Sequence, residues 1–162
     1  MSNLQISQRG DEMPESPIRK LAPLAEAAEG RGVKIYKLNI GQPDVKTPTA
    51  FFDAIKQFEQ PVLAYAPSPG LPVMVQAVRE YYNKLNVPFE DSDILITTGG
   101  SEALAITLQC ILDDGDEILI PEPFYPNYNT MTNTTGGKIV PIPTCPEEGY
   151  HYADRSKIEA LI

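Results

Sequence analysis

Tryptophan is absent from this chain, histidine occurs once and cysteine twice. Cys110 and Cys145 cannot build a disulfide framework, and neither stands in a pair spaced for a metal. The lone His151 lies in a polar loop, a poor setting for a catalytic imidazole. No metal site is expected. No run approaches the ~18 apolar residues of a membrane-spanning helix. The opening MSNLQISQRGDEMPE lacks the cationic start and apolar stretch of a secretory signal, so a cytoplasmic protein is expected. Basic side chains are the scarcer sign: 13 Lys and Arg against 22 Asp and Glu leave a net charge of −9. That balance excludes a general binder of nucleic acid or of anionic membranes.

What is present is a core-forming composition, 42% hydrophobic and 22% charged in 162 residues, within the ~100–200 typical of a domain. Proline is abundant, 16 residues or about a tenth of the chain, against the usual ~5%. Residues 1–15 are polar and aperiodic, an arm expected to be loose unless a partner orders it. Ser16-Pro17 reads as a helix start, with Ile18, Leu21, Ala25 and Ala28 on one face, Gly30 and Gly32 as the stop, and Pro23 as a bend or break. Val33–Ile40 alternates like a short strand and ends in a turn at Gly41–Asp44. Thr47-Pro48 opens a helix carrying Phe51, Phe52, Ile55 and Phe58, and Leu63–Gly70 is stiffened by proline. Leu71, Met74, Val75, Val78, Tyr81, Tyr82 and Leu85 mark the clearest helix.

Beyond residue 90 the pattern changes. Asp93–Thr98 is a β-branched apolar run, read as a buried strand. A helix over Ser101–Leu112 follows, with Cys110 packed inside it. Then come a turn at Asp113–Asp116, a strand at Glu117–Ile120, a helix over Tyr125–Asn133, a strand at Lys138–Ile142 and a helix capped by Asp154. Strand–helix alternation predicts an α/β fold, a mainly parallel sheet with helices on both faces. The acidic turn at Asp113–Glu117 reads as solvated rather than as a metal site.

Ligands of such sheets bind beyond the carboxyl ends of the strands. Two segments fall there. In Thr98-Gly99-Gly100-Ser101-Glu102-Ala103, glycines allow close backbone approach and the helix N-terminus favours an anion. Ser101 either caps its own helix or donates to a phosphate, and Glu102 must then point away from that phosphate. In Pro123-Phe124-Tyr125-Pro126-Asn127-Tyr128, prolines stiffen an aromatic segment that either stacks on a flat ligand or packs on the core. Two weaker candidates are the tyrosine of Ala64-Tyr65-Ala66-Pro67-Ser68-Pro69-Gly70 and the strand end Asn39-Ile40-Gly41-Gln42-Pro43-Asp44.

In this order the four segments, with Ser16-Pro17-Ile18-Arg19 before them, resemble the class I/II aminotransferases, pyridoxal 5′-phosphate enzymes of the aspartate aminotransferase fold. The resemblance covers Ser16 to Ile162. It implies an N-terminal portion of that fold: an arm at 1–15, a small-domain segment at 16–45 and the first part of the large cofactor-binding domain at 46–162. It also implies that Gly100, Ser101 and Glu102 hold the cofactor phosphate, that Tyr125 stacks on its ring, and that Ile40 and Gly41 line the substrate side. Tyr65 matches a tyrosine that reaches the neighbouring site of a homodimer.

The activity implied is transfer of an amino group between an L-amino acid and a 2-oxo acid, with a lysine as Schiff-base partner and proton shuttle. None of Lys20, Lys34, Lys37, Lys46, Lys56, Lys84, Lys138 and Lys157 has the family's lysine context. Lys157 follows Ser156, but Asp154 stands where the pattern has its first serine. The family's Asn-Pro-x-x-Pro-Thr-Gly turn, its ring-nitrogen aspartate and its carboxylate-binding arginine are not found either. The expectation is therefore a truncated enzyme, inactive alone, with open sheet edges. Two alternatives are a lyase using the same cofactor and fold, and a non-catalytic fragment that binds a phosphate ligand or a partner.

Overall fold

The computed structural model describes residues 4–152 and 154–162, so the part of the arm reading that concerns residues 1–3 lies outside the described residues. The chain forms two compact units, one made of the chain up to Ile40 with Ser101–Ile162, the other of Gly41–Gly100.

The first unit is built on a strand–helix–strand motif: β1 (Glu117–Glu122), α6 (Asn127–Thr135) and β2 (Lys138–Pro143). The strands are parallel, in register from Glu117 opposite Lys138 to Glu122 opposite Pro143. Ile142 of β2, Leu108 and Thr132 are its buried residues. Helix α5 (Gly100–Ile111) leads into β1 through the acidic turn, where the Asp113 N–H donates to Asp116 Oδ2 at 2.8 Å. Helix α6 stops at Gly136, whose φ of +80° suits a residue without Cβ. The α/β architecture expected from the alternation is present, as one parallel pair with helices.

Helix α2 (Ala22–Glu29) follows a single 3-10 turn at Arg19–Leu21. Pro23 does not bend or break it. It sits in the first turn, where a missing N–H costs no hydrogen bond, and so starts the helix. The Val33 N–H closes α2 by donating to the Ala28 carbonyl at 3.1 Å. In the arm, Ser7 caps α1 (Gln8–Asp11), and Arg9 pairs with Asp114 at 3.1 Å. Residues 8–11 of the arm thus form one capped helical turn. The last helix, α7 (Arg155–Glu159), starts at Asp154 as read.

In the second unit, α3 (Thr49–Lys56) starts after Pro48, and α4 (Pro72–Lys84) has Pro72 in its first turn. Val75 and Ile94 are buried, while the Tyr82 and Phe89 rings meet edge to face at 5.2 Å.

Two expected strands do not form. Val33–Ile40 and Asp93–Thr98 are extended or turn-like, because a strand exists only by pairing and the β1–β2 ladder is the one formed among the described residues. Ile96 makes a single lateral bond, its N–H to Pro69 O at 2.9 Å. Cys110 is exposed, not packed, since α5 is apolar on more faces than the described residues cover. The same holds for α3: Phe51, Phe52 and Ile55 stay 56%, 49% and 58% exposed. Their amphipathic pattern asks for a layer that the described residues do not supply. No helix among the described residues is long and apolar enough to cross a membrane.

Candidate functional site

Helix α5 begins at Gly100, so Ser101 lies inside the first turn, past the capping position. Its hydroxyl has no hydrogen-bond partner among the described residues and is available to a ligand. Gly99 has φ +90°, and among the described residues a Cβ built at Gly99 or Gly100 meets nothing within 4 Å. The backbone before the helix is therefore bare, as close approach of an anion requires.

The Pro123–Tyr128 segment joins β1 to α6, just beyond the carboxyl end of β1, after a cis Glu122–Pro123 peptide. Tyr125 is 46% exposed, so it does not serve as core packing. Its ring is held from two directions. Asn127 Nδ2 donates to the Tyr125 hydroxyl at 2.7 Å, and the Tyr128 ring meets it edge-on at 5.9 Å.

Ser101 and Tyr125 line one open cleft of about 490 Å³, together with Ser16, Ile18, Arg19, Asn127, Thr130 and Met131. The volume lies within the ~300–1,000 Å³ of small-ligand sites. Gly100 and Glu102 flank Ser101 on α5. Ile40 lies in a separate apolar groove with Ile18, Leu21, Ile35 and Tyr36, and Ile18 lines both the groove and the cleft. Gly41 opens the second unit and is exposed, as is Tyr65, whose side chain is fully open to solvent. Arg19 and Asn127 lie inside segments quoted from the sequence but have no site role there, and Thr130 lies outside those segments. Only the folding of the 16–19 segment against the β1–α6 connection reveals them.

Lys157 is unsuited to attack an aldehyde. Its ammonium pairs with Glu148 at 2.9 Å, and that hydrogen bond and charge raise its pKa above the ordinary 10.5. A nucleophilic amine needs the opposite shift. The hydrogen bond and charge of Lys157 in turn lower Glu148, and Asp154 is lowered by hydrogen bonds from the Ser156 hydroxyl and N–H at 2.7 and 2.8 Å.

A pH dependence follows. Carboxylates with lowered native pKa values stabilise the fold above their unfolded values of 3.8 and 4.5, and that contribution fades as pH falls through the native values. The Lys157 contribution is complete below 10.5 and is lost as pH rises through its raised native value. Amide resonances of Ser156 and Lys157 should hold steady across neutral pH and move at both extremes. Movement confined to neutral pH would contradict these assignments.

Among known proteins, the family described as aminotransferase class I and II matches residues 33–162. The chain is 33% identical to a probable aspartate/prephenate aminotransferase of Thermus aquaticus over 147 residues, covering 90% of this chain and 38% of that protein. It is 36% identical over 143 residues to a probable N-acetyl-LL-diaminopimelate aminotransferase of Bacillus subtilis, covering 86% and 35%. Its structure is similar to that of an alanine aminotransferase from Pyrococcus furiosus, with TM-score 0.84, 34% identity and coverage of 98% of this chain and 41% of the other. The chain thus spans well under half the length of the relatives it matches. With most of its residues inside the family's pattern and its fold superposing on a family member, the chain belongs to the class I and II aminotransferases.

Proposed function

We propose that this chain supplies part of the cofactor face of an enzyme that moves an amino group between an L-amino acid and a 2-oxo acid. The observation that carries this reading is the shared cleft of Ser101 and Tyr125. One offers a free hydroxyl and a helix N-terminus, the other a buttressed aromatic face. Together they fit a flat phosphorylated ring, and pyridoxal 5′-phosphate is the flat phosphorylated cofactor of this family. Bound there, it would supply an electron sink for the carbanion formed at the substrate's Cα.

In this reading Gly100, Ser101 and Glu102 hold the phosphate, mainly through backbone N–H groups and the Ser101 hydroxyl. Tyr125 stacks on the ring, with Asn127 fixing its plane. Ile40 and Gly41 line the substrate side, which is supported by Ile18 joining the Ile40 groove to the cleft. The proposal includes a homodimer in which Tyr65 reaches the partner's site; its full exposure is compatible with such a role. It also keeps the division into an arm (1–15), a small-domain segment (16–45) and the first part of the large domain (46–162). No lysine of this chain is assigned the proton-shuttling role, so the chain alone should not transaminate.

Binding can be tested with 4-deoxypyridoxine 5′-phosphate, which lacks the aldehyde and cannot react with surface lysines. It should bind the 162-residue chain more tightly than 4-deoxypyridoxine. Tyr125→Ala should weaken it roughly three- to tenfold, the value of one aromatic stack. Equal affinity for the two compounds would overturn the phosphate assignment, and an unaffected Tyr125→Ala would overturn the stacking.

A further inference from the structure

Among the residues lining the Ser101–Tyr125 cleft, Arg19 is the one side chain charged at neutral pH. Its neighbours there are hydroxyl or amide groups, from Ser16, Ser101, Asn127 and Thr130, or the apolar Ile18 and Met131. Acids outnumber bases in this chain by 22 to 13, yet among the described residues none pairs with Arg19. Arg19 is exposed at the open cleft, and an unpaired guanidinium on a polar rim favours an anion.

The position of Arg19 indicates which anion. It does not belong to α5, whose N-terminus already provides for the phosphate, but to the 3-10 turn Arg19–Leu21. Its chain neighbour Ile18 lines both the cleft and the Ile40 groove. That segment is closed by one internal bond and tied to the rest of the unit by another. The Arg19 N–H donates to the Ser16 carbonyl at 3.1 Å, and Asn39 Nδ2 donates to the Ile18 carbonyl at 3.3 Å. The Asn39 bond ties the Arg19 segment to the turn that ends at Ile40. Arg19 therefore lines the cleft directly after the residue that the cleft shares with the groove assigned to substrate.

We infer that Arg19 recognises a carboxylate of the amino-acid or oxo-acid substrate, an assignment that rests on the cofactor reading of the cleft. The planar fork of its guanidinium matches a carboxylate through two parallel N–H bonds, which a lysine cannot reproduce. It acts in binding and takes no part in proton transfer.

The test follows the Nε–Hε resonances of the five arginines in the full chain, with the Arg19 signal identified by its loss in Arg19→Lys. Maleate, a rigid dicarboxylate, should move that signal. Arg19→Met and Arg19→Lys should each weaken maleate roughly tenfold or more, the loss expected for a charge-assisted pair. Both variants should bind 4-deoxypyridoxine 5′-phosphate within about twofold of the parent, since α5 holds that group. A silent Arg19 signal under maleate, or equal maleate affinity in all three chains, overturns the inference. Parallel loss of both ligands also overturns it, by assigning Arg19 to the phosphate. Should 4-deoxypyridoxine 5′-phosphate bind no chain at all, the cofactor reading fails, and the maleate response of Arg19 decides the carboxylate assignment by itself.

Discussion

Gly70→Ala is expected to destabilise the Gly41–Gly100 unit by about 2–4 kcal/mol, the sum of a left-handed backbone penalty and overpacking. Gly70 has φ +116°, a conformation that L side chains rarely adopt, and its N–H closes a turn onto Pro67 O at 2.8 Å. An added methyl meets the Ile96 side chain, with Ile96 Cβ at 2.6 Å. Cβ cannot rotate away, because the Ile96 N–H bond to Pro69 O holds that backbone against the turn. Either the turn opens or the 94–97 segment lifts off. Gly99→Ala provides the internal control: φ there is +90°, but no described residue lies within 4 Å of the new methyl. It should cost only the conformational part, about 1 kcal/mol. Thermal melts give the difference, and exchange of the Ile96 amide should accelerate in Gly70→Ala alone. Equal losses in the two variants would mean that Ile96 does not press on Gly70.

This pair of glycines shows what the sequence reveals and what it hides. Leu63–Gly70 reads as a loop stiffened by proline, but nothing local announces the turn at Gly70 or that Ile96 will lie across it. The same distinction runs through the fold. Most helices were legible because their signals are local: Thr47-Pro48 before α3, the apolar spacing of α4, Asp154 before α7 and Gly136 after α6; Pro23 misled, since it starts α2 and does not break it. Strands β1 and β2 were legible because they are short β-branched runs on either side of one helix, and they found each other. Val33–Ile40 and Asp93–Thr98 carry a similar pattern but depend on partners elsewhere, and without a ladder the pattern remains extended chain. Cys110 failed for the same reason, since its burial depends on a covering layer and not on α5 itself.

In the candidate site, Ser101 and Tyr125 could be named from motifs, because each follows a structural boundary that chemistry uses. Arg19 and Asn127 lie inside quoted segments that gave them no role of their own. Their significance comes from facing the cleft, a property of tertiary closure that no spacing along the chain expresses. Asn127 beside Tyr125 looks like any polar helix start until its amide is seen on the phenol oxygen.

The second large effect expected is from Ser101→Asp, and it separates a structural serine from a phosphate-binding one. A carboxylate in the first turn of α5 interacts favourably with the helix dipole, by about 0.3–1 kcal/mol. Ser101 makes no hydrogen bond that the change would break among the described residues. The melting temperature should therefore hold or rise slightly. Binding of 4-deoxypyridoxine 5′-phosphate should fall roughly a hundredfold, because a new negative charge about 4 Å from a phosphate costs on the order of 1–4 kcal/mol per charge pair at surface-like dielectric. Ser101→Ala, which loses one donor and adds no charge, should weaken binding by only about three- to tenfold. Added salt decides the cause: repulsion is screened within about 10 Å at 0.1 M ionic strength, so part of the Ser101→Asp loss should be recovered, whereas a steric block should not respond. Unchanged phosphate affinity in a stable Ser101→Asp chain would move the phosphate away from α5 altogether. The Tyr125 ring would then face the cleft without a partner at its far end, and the case for a phosphorylated ring at this site would fall with it.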